Sequence, residues 1–365
     1  MTDEETRLKE LRERIDSIDG ELLRLMSERA ECARNVAGVK QKAHPDETVA
    51  FYRPEREARI LRRIKESNPG PLSDEEMARL FREVMSACLA LEKPMTIAFL
   101  GPEGTFTQAA ALKHFGHSVL STPLAAIDDV FREVASGNAE YGVVPVENST
   151  EGMINHTLDM FMSSPLRICG EVELRIHHHV LVSPGADMAC VTRLYSHQQS
   201  FAQCRKWLDS HWPALERITV SSNAEAARLA DDESDAAAIA GDMAATLYGL
   251  EIRHHNIEDR PDNTTRFLIV GTDEVPASGE DKTSILVSMR NRPGALHELL
   301  EPFQRYAVDL TRLETRPSPS ETWAYVFYID FRGHREDTVV RTVLGEVESR
   351  CAEMKHLGSY PMGVL

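Results

Sequence analysis

The sequence lacks the positive charge that binding to nucleic acid or to an anionic membrane would require. Its 365 residues contain 41 lysines and arginines against 58 aspartates and glutamates, which gives a net charge of −17. Because an acidic chain repels polyanions, we expect neither nucleic acid nor a membrane as a partner. The deficit does not exclude a small anionic substrate, since a basic pocket can lie on an acidic surface.

Paired cysteine motifs and long apolar segments are also missing. The six cysteines are scattered without a Cys-X-X-Cys pair, which favours reduced thiols in the cytoplasm over a disulfide framework or a metal site. No apolar run reaches the roughly 18 residues of a membrane-spanning helix, and the acidic start MTDEETRLKE does not resemble a signal peptide. At roughly 100–200 residues per domain, the length suggests two or three domains of a cytoplasmic protein.

Strand-like alternation is absent from the first 93 residues. An apolar stripe recurs there at steps of three and four, which predicts a helix over about residues 4–43: Leu8, Leu11, Ile15, Ile18, Leu22 and Leu25. Such a helix is about 60 Å long, so a bundle or a partner chain must cover its apolar face. Two further helices are predicted at about 53–66 and, after a capping-box pattern at Ser73, up to about residue 92.

Cations interrupt this apolar stripe. Arg29 and Lys40 fall where the seam should be apolar, and Arg12 flanks the same face. Each of them alone could be a snorkelling side chain or part of an ion pair. Together with Arg56 and Glu57 on the next helix, they indicate a cationic pocket suited to a small dicarboxylate.

These positions resemble the all-helical chorismate mutase family over residues 1–93. The resemblance implies an intertwined helical dimer that rearranges chorismate to prephenate without covalent catalysis. It further implies that Arg12 from the partner chain and Arg29 hold the two carboxylates of the substrate. Lys40 would then donate to the ether oxygen, where charge develops as the bond breaks, and Glu57 would hold the hydroxyl group.

Three positions depart from one branch of that family. Glu92 replaces a glutamine beside Lys40 at the ether oxygen, and a carboxyl group can donate a hydrogen bond only when it is protonated. We therefore predict a mutase activity that falls as the pH rises. Arg53 and Cys88 replace an aspartate and a serine. We expect both residues, and Arg56, to contact the substrate, but the replacements leave the roles of Arg53 and Cys88 open.

From Met95 onward, strand-like runs alternate with amphipathic helices, which is typical of an α/β fold. Four polar clusters follow predicted strands, at residues 101–107, 144–149, 195–199 and 262–267. Clusters at strand ends predict a single cleft between two lobes. The alternative for each polar side chain is a cap or turn hydrogen bond.

The clusters resemble prephenate dehydratase over residues 95–271. The resemblance implies two α/β lobes like those of periplasmic binding proteins, with the site between them, and conversion of prephenate to phenylpyruvate without a cofactor. Thr265 of the Thr-Arg-Phe motif is then the expected catalytic residue, positioning or relaying a proton. The expected substrate-binding residues are Thr105, Thr107, Glu147, Asn148, Ser149, His197, Gln199, Arg266 and Phe267.

A polar segment at 272–282 reads as a linker to a last unit at 283–361, whose βαββαβ order is ferredoxin-like. This unit resembles the ACT regulatory domain, which implies binding of L-phenylalanine at an ACT–ACT interface. The alternative is a purely structural dimerisation module. The residues expected to bind the effector are Asn291, Gly294, Ala295, Leu296, Glu314, Thr315 and Arg316.

The expected protein is therefore a multidomain enzyme, a homodimer or a higher homo-oligomer, with chorismate and prephenate as substrates and phenylalanine as effector. One rival is a non-catalytic sensor in which the helices only dimerise. Another is an enzyme with one inactive site. The triplet His177–His179 suggests a metal, but it lacks the spacing and carboxylates of a site, so we expect a structural role and no metal.

Overall fold

The computed structural model describes residues 2–43, 52–289, 292–317 and 325–364. The first unit consists of the three predicted helices α1 (Asp3–Ala43), α2 (Pro54–Ser67) and α3 (Asp74–Ala90). The hydroxyl of Ser73 accepts a hydrogen bond from the backbone N–H of Glu76 at 3.2 Å, as the capping pattern predicts. Within the described residues, no helix combines the length and apolar character that crossing a membrane demands.

Helix α1 leaves its apolar stripe open to solvent in the single chain. Leu11 and Ile15 are both 55% exposed, and Leu25 is 50% exposed. A stripe of this length is costly in water. Its exposure agrees with the expectation that something outside this single chain covers it.

The second unit contains two sheets, as the expected two-lobed fold requires. The first sheet has the strand order β2-β1-β3-β11-β5, and the short β4 pairs with β3. The elements of the first lobe are β1 (Thr96–Leu100), α4 (Phe106–Phe115), β2 (Leu120–Leu124), α5 (Ile127–Ala135), β3 (Tyr141–Asn148), β4 (Gly152–Met153), α6 (Asn155–Ser163) and β5 (Arg167–Arg175).

The second sheet has the order β10-β6-β9-β7-β8. Its elements are β6 (His179–Val182), β7 (Arg193–His197), α7 (Gln198–Gln203), α8 (Arg205–His211), β8 (Glu216–Val220), α9 (Asn223–Asp232), β9 (Ala236–Ala240), α10 (Asp242–Tyr248) and β10 (Glu251–His254), with a short 3₁₀ turn at Met188–Cys190. The chain then returns to the first sheet as β11 (Thr264–Gly271). The chain therefore crosses between the two sheets twice, after β5 and after β10.

The third unit has the predicted βαββαβ order. Its sheet runs β13-β14-β12-β15, with β13 as an edge strand. The elements are β12 (Asp281–Met289), α11 (Ala295–Arg305), β13 (Leu310–Pro317), β14 (Tyr325–Arg332), α12 (Thr338–Arg350) and β15 (Glu353–Pro361).

The three units pack against one another. Val144 and Leu268 of the first lobe share a buried cluster with Leu286 and Leu357 of the third unit. The segment predicted as a polar linker is part of this packing: Val275 is buried, and α2 holds the rest by side-chain hydrogen bonds to its backbone carbonyls. Apolar burial and these hydrogen bonds fix a segment whose composition alone indicates a loose connection.

Candidate active sites

A cavity of about 630 Å³ lies among the three helices. Residues at helical spacing on α1, and Met85, Cys88 and Leu89 on α3, point into it because such positions share one helix face. Glu92 reaches it from the turn that follows α3. The cavity thereby brings together seven of the residues singled out from the sequence: Arg29, Lys40, Arg53, Arg56, Glu57, Cys88 and Glu92.

Arg12 does not reach this cavity in the single chain. It lies on the same helix as Arg29, 17 residues earlier, and is exposed. At 1.5 Å per residue the two are about 25 Å apart along the helix. That placement leaves the contribution of Arg12 from a second chain a prediction.

Two of the three carboxyl groups that line the cavity have raised pKa values. Burial raises the pKa of Glu57, against the opposing effects of Arg82 and Arg29. Partial burial likewise raises the pKa of Glu92, opposed by Lys40. Arg53 Nε lies 2.8 Å from the buried carboxylate of Glu55, so this guanidinium is bound within its own chain.

A second cavity of about 260 Å³ lies between the two sheets of the second unit. The ends of β1, β3, β7 and β11 all reach it, as the polar clusters at strand ends predict. Six of the expected residues line this cleft: Thr105, Thr107, Asn148, His197, Gln199 and Thr265.

Asn148 fixes the hydrogen-bonding role of Thr265. The Asn148 side-chain oxygen accepts from the backbone N–H groups of Thr150 and Glu151, at 2.9 and 3.1 Å. Since those groups can only donate, the amide nitrogen must face the other way, where it lies 2.8 Å from Thr265 Oγ1 and 3.0 Å from Asn263 Oδ1. Thr265 therefore accepts from Asn148, and its own proton is available to donate elsewhere.

The direction of hydrogen-bond donation can be followed from Asn263 through Gln203 to a histidine. Asn263 Nδ2 donates to Gln203 Oε1 at 3.1 Å, and His178 Nε2 lies 2.8 Å from that oxygen. Because the oxygen can only accept, His178 carries its proton on Nε2. Burial lowers the pKa of His178, which favours the neutral ring.

Sequence reasoning missed Gln203, Asn263 and His178 as parts of the cleft. Asn263 stands inside the quoted 262–267 cluster, but Gln203 has no motif of its own. His178 was assigned a structural role with the rest of the histidine triplet. His178 meets Gln203 only in the folded chain, and no local sequence pattern indicates that contact.

Glu147 and Ser149 do not line the cleft, contrary to expectation. The sequence placed both after a strand, but β3 continues through Asn148. Because strand neighbours point to opposite faces, Glu147 points away from the cleft and pairs with Arg312 of β13. Ser149 Oγ instead accepts from the backbone N–H of Thr264 at 2.9 Å, a structural bond.

Arg266 and Phe267 must also be reassigned. Arg266 is buried on the face opposite Thr265, where it donates to Glu171 and Asp330 at 2.8 Å each and to the hydroxyl of Tyr360 at 3.1 Å. Phe267 is only 1% exposed and belongs to the core of the first lobe. Of the Thr-Arg-Phe motif, Thr265 therefore lines the cleft, Arg266 contacts the third unit and Phe267 packs in the core.

The expected effector residues lie on two elements of the third unit. Gly294 precedes α11 with a left-handed φ of 85°, which favours glycine, and Ala295 and Leu296 begin the helix. Glu314 and Thr315 lie on the edge strand β13. Asn291 falls outside the described residues.

Arg316 differs from the expectation. Its guanidinium makes a two-pronged pair with Asp159 of α6, at 2.9 and 2.7 Å. In this structure it therefore ties the third unit to the first lobe and is not turned toward an effector.

The histidine triplet makes protein contacts. His177 Nδ1 lies 2.8 Å from Glu258 Oε1, and His179 Nδ1 accepts from the backbone N–H of Asn256 at 3.1 Å. Across the described ranges, no group of three or more histidine, cysteine or acidic side chains is placed to hold a metal ion.

Three family models match the chain in the order of its structural units. They describe chorismate mutase type II over residues 11–93, prephenate dehydratase over residues 97–275 and an ACT domain over residues 283–348. A bifunctional chorismate mutase/prephenate dehydratase of Pseudomonas aeruginosa is 62% identical over 366 residues, covering 100% of both chains.

Solved structures resemble the last two units. A prephenate dehydratase from Arthrobacter aurescens in complex with L-Phe matches with a TM-score of 0.67 and 34% identity, over 73% of this chain and 89% of that one. A structure described as a novel type of quorum-quenching acylase matches with a TM-score of 0.68 and 29% identity, over 73% and 98%. Because one fold can serve several functions, the activity depends on the residues of the two cavities.

The helical cavity, the interlobe cleft and the C-terminal unit define an enzyme with two catalytic domains and a regulatory domain. The chain belongs to the bifunctional chorismate mutase/prephenate dehydratase family, with which it shares its full length and the order of its units.

Proposed function

We propose that the helical cavity rearranges chorismate to prephenate and that the interlobe cleft converts prephenate to phenylpyruvate, under feedback inhibition by L-phenylalanine. The units that carry these steps are residues 1–93, 95–271 and 283–361. The observation that carries the proposal is the gathering of Arg29, Lys40, Glu57 and Glu92 around one cavity, in a chain whose second cavity contains an oriented Thr265.

In the helical cavity, Arg29 and an Arg12 from a second copy of the chain hold the two substrate carboxylates. Lys40 and a protonated Glu92 donate to the ether oxygen as the C–O bond breaks, and the ionised Glu57 accepts from the hydroxyl group. A fixed donor aimed at developing charge stabilises the transition state by about 3 kcal/mol. No bond to the enzyme forms in this step.

In the cleft, Thr265 directs a proton to the departing hydroxyl group of prephenate. The C–O bond breaks as water leaves, the ring carboxylate departs as carbon dioxide, and its bonding electrons complete the aromatic ring. A threonine hydroxyl is a weak acid, so Thr265 places or relays the proton and does not supply it. The hydrogen bond from Asn148 supports this role because it leaves the Thr265 proton free to point at substrate.

The ACT unit supplies the regulation. The similar Arthrobacter dehydratase was solved in complex with L-Phe. In this chain, the turn at Gly294 and the strand residues Glu314 and Thr315 are the proposed binding site for L-phenylalanine. We infer that the effector binds where β13 of one ACT unit meets another. The exposed stripe of α1 and the open edge of β13 support a homodimer or a larger homo-oligomer. Six unpaired cysteines suit the reducing cytoplasm.

The test is to supply the purified full-length chain with chorismate and, in a separate reaction, with prephenate, to follow prephenate and phenylpyruvate in both reactions, and to measure phenylalanine binding. We expect both products in sequence, with phenylpyruvate suppressed by added L-phenylalanine. A chain that binds phenylalanine without consuming either substrate would instead be a sensor. If it consumed prephenate but not chorismate, the helical cavity would be inactive.

A further inference from the structure

Glu57 forms part of the wall between two cavities. On one side lies the large cavity of the helical unit. On the other lies a small pocket of about 30 Å³, lined by residues of α2, α3, α4 and β5, by Tyr52 and by residues 361–364. Its volume suits one or two water molecules and no substrate. Whatever occupies this second side can act on Glu57 without touching substrate.

Arg82 of α3 is on that hidden side. Its Nη1 lies 2.6 Å from Glu57 Oε1, and the two side chains are 9% and 14% exposed. Among the described residues, neither Nε nor Nη1 of Arg82 has a hydrogen-bond partner, and neither has Glu57 Oε1, so the close contact between the two side chains is an ion pair. A guanidinium buried to this extent is costly unless it is paired, so the pair with Glu57 accounts for its position.

Two arginines oppose the effect of burial on the carboxyl group. Burial raises the pKa of Glu57, and Arg82 and then Arg29 lower it. Under the proposed function, Arg29 binds a substrate carboxylate, and that negative charge offsets its own. Arg82 is separated from substrate by Glu57 itself, so its charge continues to act in the complex.

The other ionisable groups near Glu57 do not replace this charge. On the hidden side these are Tyr52, Lys113, His114 and Glu171, and on the substrate side Arg29, Lys40, Arg53, Glu55, Arg56, Arg59 and Glu92. Of the cations among them, only Arg29 joins Arg82 in lowering the pKa of Glu57. Burial raises the pKa of Tyr52 and lowers that of His114 well below its usual range. Both groups therefore stay neutral near pH 7, and Tyr52 Oη is 3.1 Å from His114 Nε2.

We propose that Arg82 is a positioning residue for the rearrangement of chorismate: it holds the Glu57 carboxylate, from behind, in the ionised form and orientation that accept a hydrogen bond from the substrate hydroxyl. This inference rests on the proposed mutase function of the cavity. It adds a residue that never contacts substrate, at the boundary between the helical unit and helix α4 of the dehydratase unit.

The experiment measures mutase kcat/KM of the full-length chain from pH 5 to pH 9 for Arg82→Met and Arg82→Lys. Relative to the unaltered chain at the same pH, the kcat/KM of Arg82→Met should be at least tenfold lower at pH 6 and should approach equality toward pH 9, because Glu57 then ionises only at higher pH. Arg82→Lys should restore most of the activity. The control is Arg79→Met on the same helix, an exposed residue paired with Glu76, which should match the unaltered chain.

Turnover of added prephenate in the same preparations reports on folding and should stay within twofold. An Arg82→Met profile that superimposes on that of the unaltered chain overturns the inference. If Arg82→Met fails to fold, Arg82→Gln, which also removes the charge, is compared alone and with Glu57→Gln: a loss that persists in the Glu57→Gln background also overturns the inference. Wild-type mutase activity in Glu57→Gln itself would instead refute the proposed role of Glu57.

Discussion

Replacing Glu92 by glutamine should remove the alkaline decline of mutase activity. Glu92 lines the helical cavity with Lys40, and partial burial raises its pKa. As the proposed donor to the ether oxygen, it works only when protonated. The raised pKa extends the protonated form upward from the usual value of about 4.3, but above the shifted pKa the donor is lost.

The size of the fall in mutase kcat/KM follows from how much one hydrogen-bond donor stabilises the transition state. Removing a single hydrogen-bond donor at developing charge costs about 3 kcal/mol, or about 100-fold in rate. Above the pKa of Glu92, the protonated fraction falls about tenfold for each pH unit. Mutase kcat/KM should therefore fall up to about 100-fold and then level off at the activity that Lys40 alone sustains. The amide of Glu92→Gln donates at every pH, so its kcat/KM should show no alkaline decline.

The assay follows chorismate consumption from pH 4.5 to pH 9, and Glu83→Gln serves as the matched control. Glu83 lies on α3, which ends two residues before Glu92, but it pairs with His117 at 2.8 Å, outside the cavity. Its profile should keep the alkaline decline. An acid decline should remain in every chain that retains Glu57, because that carboxyl group acts in its ionised form. A Glu92→Gln profile that still falls with rising pH would refute the donor role.

Three further predictions concern the other units. Thr265→Ala should lower phenylpyruvate formation from prephenate at least about 100-fold with mutase activity unchanged; retained turnover would exclude the catalytic role. Asp330→Ala leaves the buried Arg266 short of a partner and should lower the free energy of unfolding by about 3 kcal/mol, seen as a lower urea midpoint; an unshifted midpoint would mean that water replaces the carboxylate. Arg312→Gln, which breaks the pair with Glu147, should raise the phenylalanine concentration for half-inhibition about fivefold or more; unchanged inhibition would rule this contact out of the coupling.

The helical cavity was the most predictable part of the molecule. Its residues lie on long helices, and a period of 3.6 residues determines which side chains share a face. The cations Arg29 and Lys40 stood out because they interrupt an apolar seam. Arg82 did not, because its partner Glu57 lies on another helix and its burial depends on the dehydratase unit packed behind it.

The cleft was predictable in position and only partly in composition. Strand ends gather at one edge of an α/β sheet, which predicts that the clusters at residues 101–107, 195–199 and 262–267 meet. The direction of each side chain depends on what covers each face of the sheet. The sequence does not show that the ACT unit covers the face of β11 that carries Arg266, so that residue was assigned to the cleft when it lies on the opposite side.

The two residues that form the central hydrogen bond of the cleft each have a chain neighbour bound to the ACT unit. Asn148 follows Glu147, which pairs with Arg312, and Thr265 precedes Arg266, which pairs with Asp330. Because neighbours on a strand point to opposite faces, a shift of the ACT sheet pulls on both strands from behind the cleft. A change of well under 1 Å in the separation of β3 and β11 is enough to misdirect a 2.8 Å hydrogen bond. Phenylalanine therefore need not close the cleft to inhibit the dehydratase: we expect it to act by disturbing the alignment of Thr265.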